Sequence, residues 1–320
     1  MAYCFKKNET VADGVRRIAV EELTSAIAGL SRSSPRDRET AIHEARKSVK
    51  KTRALLRLMQ TELGQFFERD NLRLQKIGRK LSDIRDAEAI IETFEHLVKQ
   101  YGRNVQGRPF RSMRAELKKR KLEKEKAARL STALPALATS LRSIARGVDS
   151  WPLKQDGFAA LEPGLRQTFK RGRSAMKVAR KHPDPDNFHR WRKRTKDHWY
   201  HVRLLESIWT KVMEARESSL KKLETWLGDD HNLVLLCEQI KDGRGNFGRA
   251  EDIDLFLALA SKTQNELRKE ALSVGEKTHG EKPRTMLAGL SHLWDAWQAE
   301  PQETAVEQRK QNRPKGKRAV

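Results

Sequence analysis

Displacing the chain by 146 positions lays it onto itself. Residues 42–60, IHEARKSVKKTRALLRLMQ, then fall on residues 188–206, FHRWRKRTKDHWYHVRLLE. His43 meets His189, Arg46 meets Arg192, Lys47 meets Lys193, Lys50 meets Lys196, Arg57 meets Arg203 and Leu58 meets Leu204. With no gap, the same displacement brings Leu74, Lys76, Leu81 and Asp83 onto Leu220, Lys222, Leu227 and Asp229. Upstream, Gly14-Val-Arg16 resembles Gly164-Leu-Arg166 at a slightly different displacement. Three matches in order point to one unit present twice, near 1–146 and 147–300.

The unit is helical. No proline occurs from Arg36 to Arg108 or from Asp186 to Lys282, and apolar residues recur at three- and four-residue spacing. Residues 36–60 carry Ile42, Ala45, Val49, Leu56 and Met59 on one face, and residues 66–100 carry Leu74, Ile77, Leu81 and Ile84. No segment alternates apolar and polar residues with Val, Ile and Thr, so the expected fold class is all-α, a duplicated helical bundle. Residues 102–109, GRNVQGRP, read as a loop, and a charged helix from about residue 110 should bend or break at Pro135. Residues 147–164, with three glycines and two prolines, read as the linker between halves. Residues 301–320 read as a disordered basic tail whose cations could add non-specific affinity for anions.

Charge narrows the function. Lys and Arg number 66 against 43 Asp and Glu, a net charge of +23, which is more than solubility requires. It points to a polyanion: nucleic acid, an anionic membrane surface or a phosphate polymer. No apolar run approaches the ~20 residues that cross a bilayer, so no membrane span is expected. The opening MAYCFKKNET has no apolar core after its lysines, and Cys4 and Cys237 lie far apart with no metal-ligand spacing. These readings favour the reducing cytoplasm, with no disulfide framework and no zinc site.

On a helical projection, His43, Arg46, Lys47, Lys50, Ala54 and Arg57 form one strip about 21 Å long that contains no acid. His189, Arg192, Lys193, Lys196, Tyr200 and Arg203 form its counterpart. Like charges a turn apart repel by a few tenths of a kcal/mol per pair, roughly, which makes sense if an external anion supplies the missing charge. The next helix adds Arg69, Arg73, Lys76 and Lys80 opposite its apolar stripe. The second half keeps Lys222 but has Ala215, Ser219 and Trp226 at the other places. Arginine suits phosphate because its planar fork donates two parallel bonds, and lysine adds a mobile point charge. Histidine would donate twice when protonated, the form a phosphate site favours.

Other residues read as structural. His198 and His201 lie three apart, and His231 follows Asp229 and Asp230, but the surrounding Arg194, Lys196 and Arg203 argue against a metal site. Asp83 and Asp229 read as partners that orient the basic residues. Trp191, Trp199 and Trp209 read as core. No P-loop, carboxylate cluster for magnesium or nucleophile–base pair stands out, so neither a cofactor nor an enzymatic activity is expected.

The whole pattern resembles the CHAD family, the conserved histidine α-helical domain. The opening MAYCFKKNETVADGVRRI, the two histidine-headed basic helices, the segments LSDIRDAEAI and LGDDHNLVLL, and the closing EKPRTMLAGLSHLWDAW carry the resemblance. It implies two four-helix bundles related by a pseudo-twofold axis, with a basic cavity or pore between them that binds inorganic polyphosphate. The contacts so implied are His43, Arg46, Lys47, Lys50, Arg53 and Arg57, with His189, Arg192, Lys193, Lys196 and Arg203. Arg73, Lys76 and Lys80 are implied neighbours, and Lys222 continues the strip in the second half. Two places differ from the pattern: Trp199 stands where the first copy has Arg53, and residue 82 is Ser. Family members are often fused to a triphosphate tunnel domain marked by E-x-E-x-K/R. Here the nearest string ends in Ala127, so a stand-alone module is expected. The expected role is targeting to, or organising, polyphosphate granules in the cytoplasm, with nucleic acid bound weakly and non-specifically; the alternatives are a nucleic-acid-binding protein and, behind it, an accessory subunit of a phosphate-anhydride-processing enzyme.

Overall fold

A computed structural model describes residues 3–32, 34, 37–101, 110–127 and 130–301, with the side chains of 83–85 excepted. The expected loop at 102–109 and the tail from residue 302 onward lie outside the described residues. Among the described residues every regular element is helical, so the protein is all-α. The long helices are α1 (Val11–Arg32), α2 (Arg38–Leu58), α4 (Gln65–Tyr101), α5 (Arg111–Ala127), α6 (Leu130–Ala145), α7 (Gly157–Lys181), α8 (Pro185–Leu204), α9 (Thr210–Asp242), α10 (Ala250–His279) and α11 (Pro283–Ala299). A single turn, α3 (Gln60–Leu63), links α2 to α4. No helix among the described residues is long and apolar enough to cross a membrane.

Local sequence accounts for these limits. In α2, Ile42, Ala45, Val49 and Leu56 are all buried, as their spacing requires. After α3, Gly64 adopts φ +48°, a left-handed conformation that glycine takes without a Cβ clash, and the chain turns into α4. Asp184 caps α8 by accepting the Asn187 N–H at 2.8 Å, and Pro185 fills the first helical position, where no N–H is needed. Helices α7, α8 and α9 start 146, 147 and 145 residues after α1, α2 and α4, so the offset read in the sequence recurs in the helix starts.

Helix α1 packs on α2 and α6, α2 on α4, α7 on α8, α8 on α9 and α9 on α10, while α11 covers α7. The halves meet where α2 touches α7 and α8 and where α4 touches α9. The largest apolar core runs through both halves, joining Ile42, Leu55 and Leu58 of α2 to Phe169 of α7, Leu204 of α8 and Trp294 of α11. A second core gathers Phe94 of α4, Phe110 just ahead of α5, Leu236 of α9 and Phe256 of α10. A third, around Trp191, Leu223 and Leu227, lies within the second half.

Two expectations need correction. The linker is shorter than residues 147–164 and is not loose. Gly157, Pro163 and Gly164 belong to α7, while Val148, Trp151 and Leu153 are buried, with the Trp151 indole N–H donating to Asp70 at 3.1 Å. Pro135 does not break a helix either; it lies inside α6, in its second turn.

Candidate functional site

Helices α2 and α8 turn their basic strips toward one cleft of about 650 Å³, whose remaining walls are α4 and α9. His43, Arg46, Lys47 and Lys50 enter from α2, and His189, Arg192, Lys193, Lys196 and Arg203 from α8. Nine of the fifteen residues singled out from the sequence are thus brought together. Lys51 and Lys221 add two further cations, against the carboxylates of Asp86 and Glu92 in the lining.

The other six candidates lie outside the lining. Arg57 donates to Asp197 at 3.0 Å and so ties α2 to α8. Arg53 donates to Asn71 at 3.0 Å, and burial followed by the nearby Arg57 charge lowers its guanidinium to about 10. Arg73 turns to Ser143 at 2.8 Å. Lys76 and Lys80 are exposed, and Lys222 rests on the Trp226 ring at 4.8 Å. The reason is rotational. With Leu74, Ile77 and Leu81 in the core, the cations opposite them face away, and α4 meets the cleft through Ser82, Asp86, Ala89 and Glu92.

Acids missing from the strips come from neighbouring helices. The Glu224 carboxylate, buried on α9, accepts from Lys196 at 2.7 Å and faces Lys221 at 3.4 Å and Arg192 at 3.6 Å. Burial alone would raise its carboxyl, but these three cations overcome that and hold it at about 2. Arg46 donates to Ser82 at 3.0 Å and Asp86 at 3.1 Å, and Lys51 pairs with Glu22 at 2.6 Å. The bracing acids are therefore Glu224 and Asp86. Asp229, expected in that role, is exposed, and the side chain of Asp83 is outside the described residues.

Lys50 differs from these cations. It is partly buried and has no hydrogen bond or ion pair among the described residues. Burial, then the charges of Lys196, Arg46 and Arg192, push its amine down to about 6. Two histidines of the cleft lie against each other. The His189 ring stacks on His231 with centroids 3.8 Å apart; burial and then Lys193 lower His189 to about 4. Burial and then His189 lower His231 to about 3, so both rings are neutral at pH 7. His43 is exposed.

Trp199 forms a wall of the cleft, with Lys221, Arg203 and Lys196 at 4.8, 5.3 and 6.0 Å from its ring centroid. It is only 9% exposed, and Trp191 is fully buried, but Trp209 is 53% exposed and is not core as expected. The His201 Nε2–H donates to the Ala54 carbonyl at 2.8 Å, and His198 meets His279 at 3.4 Å inside the second half.

Several cleft residues were absent from the sequence-based set. Lys221 falls opposite Gln75 in the repeat and His231 opposite Arg85, so comparison of the halves does not flag them. Glu224 did leave a signal: it is a carboxylate within the apolar stripe Leu220, Leu223, Leu227 of α9.

An all-α protein whose two basic helices converge on one cleft is the class that fold and site define. Residues 18–241 match the CHAD domain, and the chain belongs to the CHAD family. The matched range holds both basic helices and the segments that follow them, but neither the start of the chain nor the closing segment at 281–297. No curated protein matches the chain.

Proposed function

We propose that the cleft binds inorganic polyphosphate, and that the protein holds this polymer in the cytoplasm, at polyphosphate granules, without transforming it. The observation that carries the reading is the lining itself. Cations from α2, α8 and α9 outnumber the carboxylates, and Lys50 among them has no acidic partner among the described residues. An anionic chain entering there gains charge-assisted bonds to arginine and lysine and relieves the mutual repulsion of Arg46, Lys50, Arg192 and Lys196.

Geometry favours polyphosphate over nucleic acid. The cations line the inside of a cleft, which suits a thin chain without bases, whereas a duplex is gripped along its outer grooves. Trp199, the indole in the lining, is covered by lysines and arginine and offers a base no open face. Holding, as opposed to catalysis, is supported by the pairing of two acids at the cleft: Asp86 of the lining is engaged by Arg46, and the buried Glu224 of α9 by Lys196.

Replacing Arg46, Lys50, Arg192 and Lys196 together by alanine should lower affinity for long-chain polyphosphate about 100-fold or more, since each charged contact contributes about 1.5–3 kcal/mol. Helical circular dichroism should persist. Unchanged affinity in a folded variant would place the site elsewhere and overturn the reading.

A further inference from the structure

Lys50 is surrounded by charge of its own sign. Arg46 lies one turn earlier on α2, and Arg192 and Lys196 face it from α8. From α9, Glu224 is the nearest acid, but it is already bound by Lys196 at 2.7 Å; Lys221 and His231 complete that wall. From α4, Asp86 is held by Arg46, and Glu92 lies further along the lining. From α1, Glu22 is taken by Lys51 and by the Ser48 hydroxyl at 2.7 Å. Helix α7, which also packs on α2, contributes no residue to the lining. Each acid near Lys50 whose contacts are defined thus serves another group.

We propose, building on the polyphosphate reading, that Lys50 takes up a proton from solvent when a polyanion seats in the cleft, so that binding is proton-coupled. The amine gains one hydrogen ion, delivered by water or buffer, and the ammonium so formed donates to a phosphate oxygen. The ligand supplies the counter-charge that the fold withholds.

The size of the effect follows from how far burial and like charge lower the Lys50 amine. With its amine at about 6, Lys50 is neutral in about nine of ten molecules at pH 7. An adjacent phosphate favours the ammonium and restores a value above neutral. Uptake near pH 7 is therefore about one proton per cleft. Between pH 6 and the pKa of the bound state, affinity should fall by up to about tenfold per pH unit as pH rises.

Calorimetric titration of the full chain with long-chain polyphosphate, at fixed salt and pH 7, tests this in two buffers of unlike ionisation enthalpy. The expected result is a binding heat that differs between buffers by the equivalent of about one proton, and loss of that difference in Lys50→Arg, whose guanidinium stays charged. Equal heats in both buffers for the wild-type protein, or a difference that survives Lys50→Arg, would overturn the proposal. If the Lys50→Arg protein does not fold, the wild-type comparison decides alone. Absence of any binding would instead count against the polyphosphate reading, so the two failures are distinguishable.

Discussion

His198, His201 and His279 are buried in the body of the protein, away from the cleft lining. Burial lowers all three, and His198 is lowered further by the neighbouring His279. In the unfolded chain these rings take protons near pH 6.5, whereas the folded protein resists doing so until lower pH. Their contribution to stability is therefore whole above about 6.5 and is lost as pH falls toward the folded values. For His279, lowered to about 4, the loss by pH 5 is about 2 kcal/mol. Urea unfolding at pH 7.5 and pH 5 measures it, and His279→Gln should lessen the difference. Equal stabilities at the two pH values would mean that the buried rings do not titrate with folding. Lys50 obeys the same physics of burial, but it is placed where a ligand can reverse it.

At the scale of helices, the approach of α7 to the end of α2 sets how the halves meet. Gly164 sits at that crossing, where an added Cβ would fall inside contact distance of the Leu58 carbonyl. Gly164→Ala must push α7 away from α2, and overpacking of this kind costs about 1–3 kcal/mol. Gly289, on α11, has nothing within 4 Å of the same added atom. Gly289→Ala should be neutral or raise stability by up to about 1 kcal/mol, since alanine is the better helix former. Thermal melts of the two variants check the pair, and similar behaviour would refute the close approach. Arg57–Asp197 and His201–Ala54 add polar contacts between α2 and α8. Helix periodicity makes α2, α4, α8 and α9 legible from the chain alone, and the apolar stripes of α2 and α4 that are described are buried as expected. It does not show which helix faces which. The cations Arg73, Lys76 and Lys80 form as regular a strip on α4 as those on α2, yet the rotation of α4 turns them away from the cleft.

For the whole molecule, the repeated strips announce a basic site, and nine of their residues do converge on one cleft. What the chain does not disclose is the charge state inside it. Glu224, Asp86 and Glu22 reach α2 and α8 from other helices through packing, and their distances decide which cations are already satisfied. The neutral His189–His231 stack and Lys50, which has no ion pair among the described residues, are likewise products of tertiary burial. The large apolar core running through both halves adds that the cleft walls belong to one packed body, so both strips are held in place before a ligand arrives. The central claim is that this cleft selects a phosphate chain without bases. It is tested most directly by competition at fixed salt and equal phosphate concentration between long-chain polyphosphate and single-stranded DNA or RNA. Polyphosphate should displace both nucleic acids; displacement of bound polyphosphate by either one would contradict the account.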